Sequence, residues 1–371
     1  MKKGWERKRL DAVLEIKNGK NQRAVISANG PYPIYGSGGV MGRASEFLCP
    51  AGCTVVGRKG SINNPIYVQE PFWIVDTAFG LAPKPSLEPK FLHYFCLSFD
   101  FSTRNKGTTI PSLVKSDLLQ IGLPLPPLPE QRRIVGILDG AFAAIATAKA
   151  QTEKNLANAR EVFDSHLNDV FTRRGEGWVE KRLGEIGTTQ TGSTPKTSDQ
   201  TNYGDFISFV KPGDFNADGS LDYDKAGLSE RGAKGARKVP AGSVLMVCIG
   251  ATIGKCGYCD QDVATNQQVN ALTPSDGSSN RFIYYQMLTE TFQRKVIQAS
   301  GQATLPIINK SKWSALSIWV PPKVKEQKTI SAKLDAFAAD TQRLEALYRR
   351  KLESLEELKK SLLHRAFEGE L

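Results

Sequence analysis

LPPLPEQRRIVGILDGAF at residues 125–142 and VPPKVKEQKTISAKLDAF at residues 320–337 are the two stretches on which the fold turns. In each, a proline cluster (Pro124, Pro126, Pro127 and Pro129; Pro321 and Pro322) disfavours helix up to that point and favours it immediately after. From Glu130 to Phe171 there is no proline and only two glycines, Gly136 and Gly140, and from Glu326 to Phe367 there is neither. Both runs are dense in Ala, Leu, Glu, Lys and Arg, strong helix formers, and both span 42 residues. At 1.5 Å per residue each predicts a helix roughly 60 Å long. Leu334, Phe337, Thr341, Leu344, Tyr348, Lys351, Leu355, Leu358 and Leu362 alternate spacings of three and four, the seam of a coiled coil. The first run keeps step through Ile134, Leu138, Ala141, Ile145, Ala148 and Thr152, then drifts to Leu156, Phe163, Leu167 and Val170. Two such stripes in one chain most simply bury each other.

Working outward from these stretches, the chain is a duplication. Residues 110–142 (IPSLVKSDLLQIGLPLPPLPEQRRIVGILDGAF) are echoed by 305–337 (LPIINKSKWSALSIWVPPKVKEQKTISAKLDAF), an offset of about 195. Gly4-Trp5-x-x-Lys8-Arg9-Leu10 returns as Gly177-Trp178-x-x-Lys181-Arg182-Leu183, an offset of 173, so the second half holds about 22 extra residues between matching ends. Each half opens with a segment rich in Gly, aromatic and β-branched residues, in which Thr54–Val56, Ile66–Val68, Phe206–Val210 and Val244–Ile249 read as strands of a mixed α/β globule. The expected organisation is therefore two α/β globules, residues 1–123 and 173–320, each followed by a long helix, residues 124–172 and 321–371.

A chain of 371 residues suits such a multi-unit fold, and 40% hydrophobic with 23% charged residues excludes a disordered or collagen-like chain. Six cysteines are too few for a disulfide framework and suit a reduced, cytoplasmic compartment. No unbroken apolar run reaches membrane length, so no membrane partner is expected. The net charge of +11 points to a polyanion, and its distribution sharpens the point: residues 1–123 carry +7, 124–172 carry −1, 173–320 carry +3 and 321–371 carry +2.

Motifs for chemistry fall short. CIGATIGKCG (248–257) approaches a phosphate-binding loop but is one residue short, with Cys256 where a Ser or Thr would ligand magnesium. Asn64-Pro65-Ile66-Tyr67 lacks the second proline of an amino-methyltransferase motif and reads as a turn. Cys256-x-x-Cys259 is half a zinc site, but the other close pair, Cys49 and Cys53, lies in the other half. His93, His166 and His364 lie near or within predicted helices, and Asp214, Asp218, Asp222 and Asp224 alternate with Gly and Asn as turns do. No cofactor is expected.

With the frame laid out, the chain resembles the DNA-specificity subunit of type I restriction-modification systems across nearly its whole length. The carriers are the two proline-to-helix segments, YPIYGSGGVMGRASEFLCPAGCTVVGRKGSINNPIYVQEPFW in half one, and TGSTPKTSDQTNYGDFISFVKPGDF and GATIGKCGYCDQDVATNQQV in half two. The resemblance implies a non-catalytic subunit with two target-recognition domains, each reading half of a split site in double-stranded DNA. An antiparallel helix pair would set the spacer and dock the methyltransferase (modification) subunits, with the translocase/endonuclease (restriction) subunit joined through the complex. A stand-alone DNA methyltransferase would need motifs that are lacking, and a coiled-coil scaffold would not need basic globules.

Basic residues beside glycine and small polar residues are the candidate DNA contacts, because such loops approach a duplex closely. In half one they are Lys20, Arg23, Arg43, Arg58, Lys59, Arg104 and Lys106. In half two they are Lys196, Lys211, Lys234, Arg237, Lys238 and Lys255, with Asn266, Gln267 and Gln268 as base readers, since an amide bonds adenine bidentately. The candidate seam comprises Ile134, Leu138, Ile145, Leu334, Phe337, Leu344, Leu355, Leu358 and Leu362.

Overall fold

The computed structural model describes residues 4–275, 277–301 and 305–371. The chain forms two compact units, residues 1–153 with 349–371, and residues 154–348. The two long helices, Leu128–Thr172 and Val324–Glu368, each run 45 residues and begin two residues before the predicted Glu130 and Glu326. Pro129 is accommodated because the first turn of a helix has no use for its N–H.

In the first unit a four-stranded antiparallel sheet has the order Leu14–Asn18, Ala78–Pro83, Cys53–Gly57, Ile66–Val68. A second sheet pairs Tyr32–Gly36 with Gly39–Ala44 and, in parallel, with Trp73–Ile74. Glu6–Arg9 pairs with Gly122–Leu125, bringing the start of the half to the foot of its helix.

The second unit repeats this plan: Gly187–Thr191, Val269–Pro274, Val244–Val247 and Cys256–Tyr258 form the four-stranded sheet in the corresponding order. Tyr203–Val210 pairs in parallel with Val263–Thr265, and Val179–Arg182 pairs with Ser317–Val320. The strand expected to reach Ile249 stops at Val247, because the chain then turns and Ile249 bridges to Ile307. The stretch between Thr191 and Val244 is longer than its counterpart between Asn18 and Cys53, which accommodates inserted residues.

Each globule is pinned to its helix by the same two side chains. Gln131 is 1% exposed; its Oε1 accepts from the Glu88 N–H at 2.8 Å, and its Nε2 donates to the carbonyls of Ser86 at 3.0 Å and Pro126 at 2.9 Å. Gln327 accepts from the Ser279 N–H at 2.9 Å and donates to Pro321 O at 3.5 Å. Two turns on, Asp139 takes the Lys90 ammonium at 2.7 Å and the Tyr94 hydroxyl, while Asp335 takes Arg281 and, at 2.7 Å, the Tyr285 hydroxyl. Burial pushes the Asp139 carboxyl up, but the Lys90 and Tyr94 hydrogen bonds outweigh it and hold it below the ordinary carboxylate range. That contribution to stability is present above the unfolded carboxyl's pKa and is lost as pH falls through the lowered folded value.

Around these clamps, Ile134 and Leu138 pack with Phe91, Phe95, Leu363, Ala366 and Phe367 in unit one. Leu334 packs with Leu167, Phe171, Phe282 and Trp313 in unit two. The helix segments run antiparallel within each unit. In the first, Lys149 pairs with Glu356 at 2.7 Å and Arg133 donates to Leu371 O at 2.5 Å; in the second, Arg160 pairs with Glu345 at 3.0 Å and His166 stacks edge-on against Phe337.

The inward row of the second helix departs from the expected seam. Ile145 is buried, and Phe337, Leu355 and Leu362 are half-buried, but Leu344 and Leu358 are 39% and 46% exposed. Their places are taken by Glu345 and Lys359, the latter with its ammonium over the Phe142 ring. The facing helix offers Ala141, Ala148, Thr152 and Ala159 rather than leucines, so long polar side chains lay their stems across small residues and keep their charges at the rim.

Although no unbroken apolar run of membrane length was expected, the first long helix is long and apolar enough to cross a bilayer by length and composition. Asp139 is the one charge between Ile134 and Thr147, and it is held by Lys90 and Tyr94 while Ile134, Leu138 and Ile145 are buried against protein.

The displaced row makes a direct prediction. Leu334→Ala, at a site 1% exposed, should cost about 2–5 kcal/mol, and Leu358→Ala less than about 1 kcal/mol. Urea unfolding followed by circular dichroism measures both, and equal losses would contradict the row described above.

Candidate nucleic-acid interface

The strand directions place three connections at one end of each four-stranded sheet. In unit one these follow Asn18, precede Ala78 and follow Gly57. Lys20 is tied there by its N–H to Ile74 O at 3.0 Å, and the N–H groups of Arg58 and Lys59 both donate to Thr77 O, at 2.8 and 3.1 Å. The segment after the short helix Phe101–Arg104 joins them: Lys106 N–H donates to Ser112 O at 2.9 Å, and Lys59 bridges to Ser112. Ser37, at the tip of the hairpin Tyr32–Gly36 and Gly39–Ala44, lies against Gly57 and Gly60. Lys20, Arg58, Lys59 and Lys106 thus converge on one loop cluster. Arg104 is exposed beside it, and Arg23 lies exposed in the turn closed by Asn21. Arg43 is differently employed, its guanidinium donating to Gly30 O at 2.5 Å and Pro31 O at 2.6 Å, where it holds a loop.

In unit two the equivalent connections are Gly192–Lys196, Thr265–Gln268 and Cys248–Lys255. Gly192 N–H donates to Val269 O at 3.0 Å and Ser193 N–H to Thr265 O at 2.8 Å. Arg237 enters the cluster through its N–H on Ser193 Oγ at 3.0 Å and its guanidinium on Thr191 O at 2.8 Å. Lys211 follows Val210, whose carbonyl accepts from Asn266 N–H, and its ammonium lies 5.3 Å from the Phe209 ring. Lys255 closes the glycine turn in which Gly250 and Gly254 have φ of +103° and +87°. Lys196, at the end of the first connection, is exposed. Lys238 and Lys234 are occupied by Asp262 at 2.6 Å and Glu230 at 3.1 Å, which lessens the free positive charge of this unit.

The three amides do not share one role. Asn266 is 9% exposed and holds the loop, whereas Gln267 is exposed with the Thr194 hydroxyl on its Oε1, and Gln268 is half-buried. Sequence reasoning passed over Ser37, Thr77 and Thr194, which line the clusters without charge; for Thr77 and Thr194 their places in the repeated connections were the available signal, and for Ser37, on the hairpin tip, there was none. It also passed over the exposed apolar Val40, Met41 and Phe206, 62%, 61% and 65% exposed. Phe206 borders a cavity of about 690 Å³ with Ser208, Lys234, Lys238, Gln261 and Asp262.

Among the described residues no group of three His, Cys, Asp or Glu is gathered to hold a metal ion. Cys256 and Cys259 are both buried and turn their thiols to different carbonyls, Gly254 O and Pro240 O, each at 3.2 Å. Burial pushes the Cys259 thiol up to about 11. His93, on the helix Pro89–Ser98, is pulled down to about 4 by burial and by Lys359 and Lys90.

Two α/β units with one strand plan, each carrying a basic or amide-rich loop cluster and sharing a pair of long helices, define a duplicated recognition protein. The chain belongs to the type I restriction modification DNA specificity family, whose domain model matches residues 2–157 and again 175–356. It is 28% identical over 229 residues to the type I restriction enzyme HindI specificity subunit of Haemophilus influenzae, covering 57% of this chain and 49% of that protein. The EcoBI specificity subunit of Escherichia coli is 24% identical over 351 residues, covering 85% of this chain and 73% of that one. The MjaIX specificity subunit of Methanocaldococcus jannaschii is 28% identical over 156 residues, 41% of this chain and 36% of that one. The chain therefore spans about half, or less, of the lengths of the HindI and MjaIX proteins in these matches.

The same fold occurs in a chain from the structural study of complex assembly and conformational transition of the type I R-M system, with a TM-score of 0.82, 20% identity and coverage of 100% and 99%. The HsdS subunit from Thermoanaerobacter tengcongensis gives a TM-score of 0.62 at 20% identity, with coverage of 100% and 98%.

The packing of the connections is testable through glycine. A Cβ on Gly192 would run into the carbonyl oxygens of Thr265 and Asn266, so Gly192→Ala should cost about 1–3 kcal/mol. Gly136, on the first long helix with open space around it, should gain about 0.5–1 kcal/mol on becoming Ala. Thermal unfolding reads both signs, and a neutral Gly192→Ala would mean that the two connections are not packed together.

Proposed function

We propose that this chain is the DNA-reading, non-catalytic subunit of a type I restriction-modification complex in the cytoplasm. Residues 1–123 and 173–320 are the two readers, each taking one half of a bipartite site in double-stranded DNA. The helix pair sets the spacer between the halves and docks the methyltransferase subunits, and the restriction subunit joins through the complex. Methyl transfer and ATP-driven cleavage reside on those partner chains.

The observation that carries this reading is the repeated loop cluster. In both units the same three connections meet at the same end of a sheet of the same strand order, yet one cluster carries lysine and arginine alone among the candidates and the other carries three amides beside its cations. A constant frame with different side chains at one place is what two readers of different half-sites require. Backbone phosphates give affinity and base edges give sequence, so cationic and amide side chains divide the work. The free thiols of all six cysteines fit a reducing compartment.

Replacing Arg58 and Lys59 together with Ala tests the reading. Loss of two phosphate contacts lowers the magnitude of the salt slope of DNA binding by about 2, while loss of base contacts costs about 1–3 kcal/mol each and relaxes one half-site. Binding titrations of the assembled complex at several salt concentrations distinguish the two, and unchanged affinity and specificity would remove both residues from the interface.

A further inference from the structure

The Thr265–Gln268 connection carries a hydrogen-bond chain whose polarity is set by the backbone. Gln268 N–H is a donor and lies 3.1 Å from an oxygen of the Asn266 side chain, so that atom is Oδ1 and the other amide atom is Nδ2. Asn266 Nδ2 in turn donates to Gln268 Oε1 at 2.9 Å, so Gln268 has its carbonyl turned inward and its amino group is the atom left over. Neither residue is free to reverse. Asn266 is 9% exposed, with its N–H on Val210 O at 3.3 Å and its carbonyl taking Val269 N–H at 3.1 Å. The Gln268 backbone is held from the other side, its main-chain carbonyl taking Cys248 N–H at 2.7 Å, while its side-chain orientation is set by Asn266.

The Gln268 amino group has no hydrogen-bond partner among the described residues, and it lies beside Gly250, 3.9 Å from where a Cβ there would stand. Leu305 Cδ1 stands at the same 3.9 Å from that point and nothing among the described residues stands closer, so the missing side chain leaves room for a flat ligand edge beside the amino group. We propose that Gln268 reads guanine, through its N7 and O6, in the half-site of the second unit. This rests on the DNA-reading function proposed above. Reading adenine bidentately needs the side-chain carbonyl and amino group on one outward edge, and here the carbonyl is turned in against Asn266. What faces outward is a two-hydrogen donor, which matches the paired acceptors of guanine, finds only the single O4 acceptor on thymine, and opposes the amino groups of adenine and cytosine.

Asn266→Asp tests this without removing bulk. The aspartate still accepts Gln268 N–H, but its second oxygen is an acceptor, so the Gln268 amide turns over and presents Oε1 outward. Gln268→Glu reaches the same end by another route, keeping one oxygen on Asn266 Nδ2 and facing the other outward. The measurement is selection of duplexes from a randomised pool by the full chain assembled with its modification subunits, followed by sequencing. The wild-type complex should enrich guanine at one position of one half-site. Both variants should lower that preference by about 5- to 150-fold, with cytosine or adenine rising at that position alone. Any base other than guanine at the responding position in the wild type, or guanine retained in a variant that still binds, overturns the proposal while leaving the DNA-reading function standing. Enrichment of no site by the wild-type complex overturns both. A variant that no longer assembles shifts the decision to the other, which makes the same reversal.

Discussion

Gln131 and Gln327 are buried amides at the first turn of a long helix, each with its oxygen on an N–H of its own globule and its nitrogen on backbone carbonyls that include the proline segment at the helix foot. An amide left unpaired in such a place costs about 1–3 kcal/mol, so the helix can start only where the Glu88 or Ser279 N–H meets it. Two turns later Asp139 and Asp335 repeat the fixation, each on a tyrosine hydroxyl and a cation of one short helix. These four side chains set the direction in which each long helix leaves its globule. The apolar rows then have one face available to bury, and the antiparallel contacts within each unit follow.

The duplication separates what is held constant from what differs. The strand order, the parallel pair, the terminal strand pair and the clamp recur in both units, with Arg281 and Tyr285 standing where Lys90 and Tyr94 stand. The loop clusters differ in chemistry: Lys and Arg on backbone-anchored loops in one, with Lys106 paired to Asp117, and a locked Asn-Gln chain and partly neutralised lysines in the other. Anchoring the loops through main-chain bonds leaves the side chains free to differ without disturbing the sheet. That division suits the function proposed above, in which the frame fits one assembly and the two readers address different sequences.

Much of this was legible from the residues. Proline clusters and a 42-residue span without proline mark both helices to within two residues at their starts, because proline acts locally on the backbone. Thr54–Val56 and Ile66–Val68 were readable for the same reason, as short β-branched runs bounded by turns. What failed depends on partners distant in sequence. Leu344 and Leu358 obey the heptad count, yet the facing helix offers alanine and threonine, and that favours Glu345 and Lys359 in the inward row. Arg43 looks like any loop arginine until the carbonyls of Gly30 and Pro31 are found beneath it. Asn266 and Gln268 read alike in a string, and their burial and the direction of the hydrogen bonds between them separate the residue that holds the loop from the one that presents a donor.

The central claim is that two readers on one repeated frame act independently on the two halves of one site. The most direct measurement is to map methylated bases in cells carrying this chain with its partner subunits, before and after residues 11–109 are exchanged for the corresponding segment of a related specificity subunit. The account predicts a single two-part motif with unspecified bases between its halves, and after the exchange a motif with one half replaced and the other retained. A contiguous motif, a change in both halves, or a pattern untouched by the exchange would contradict it.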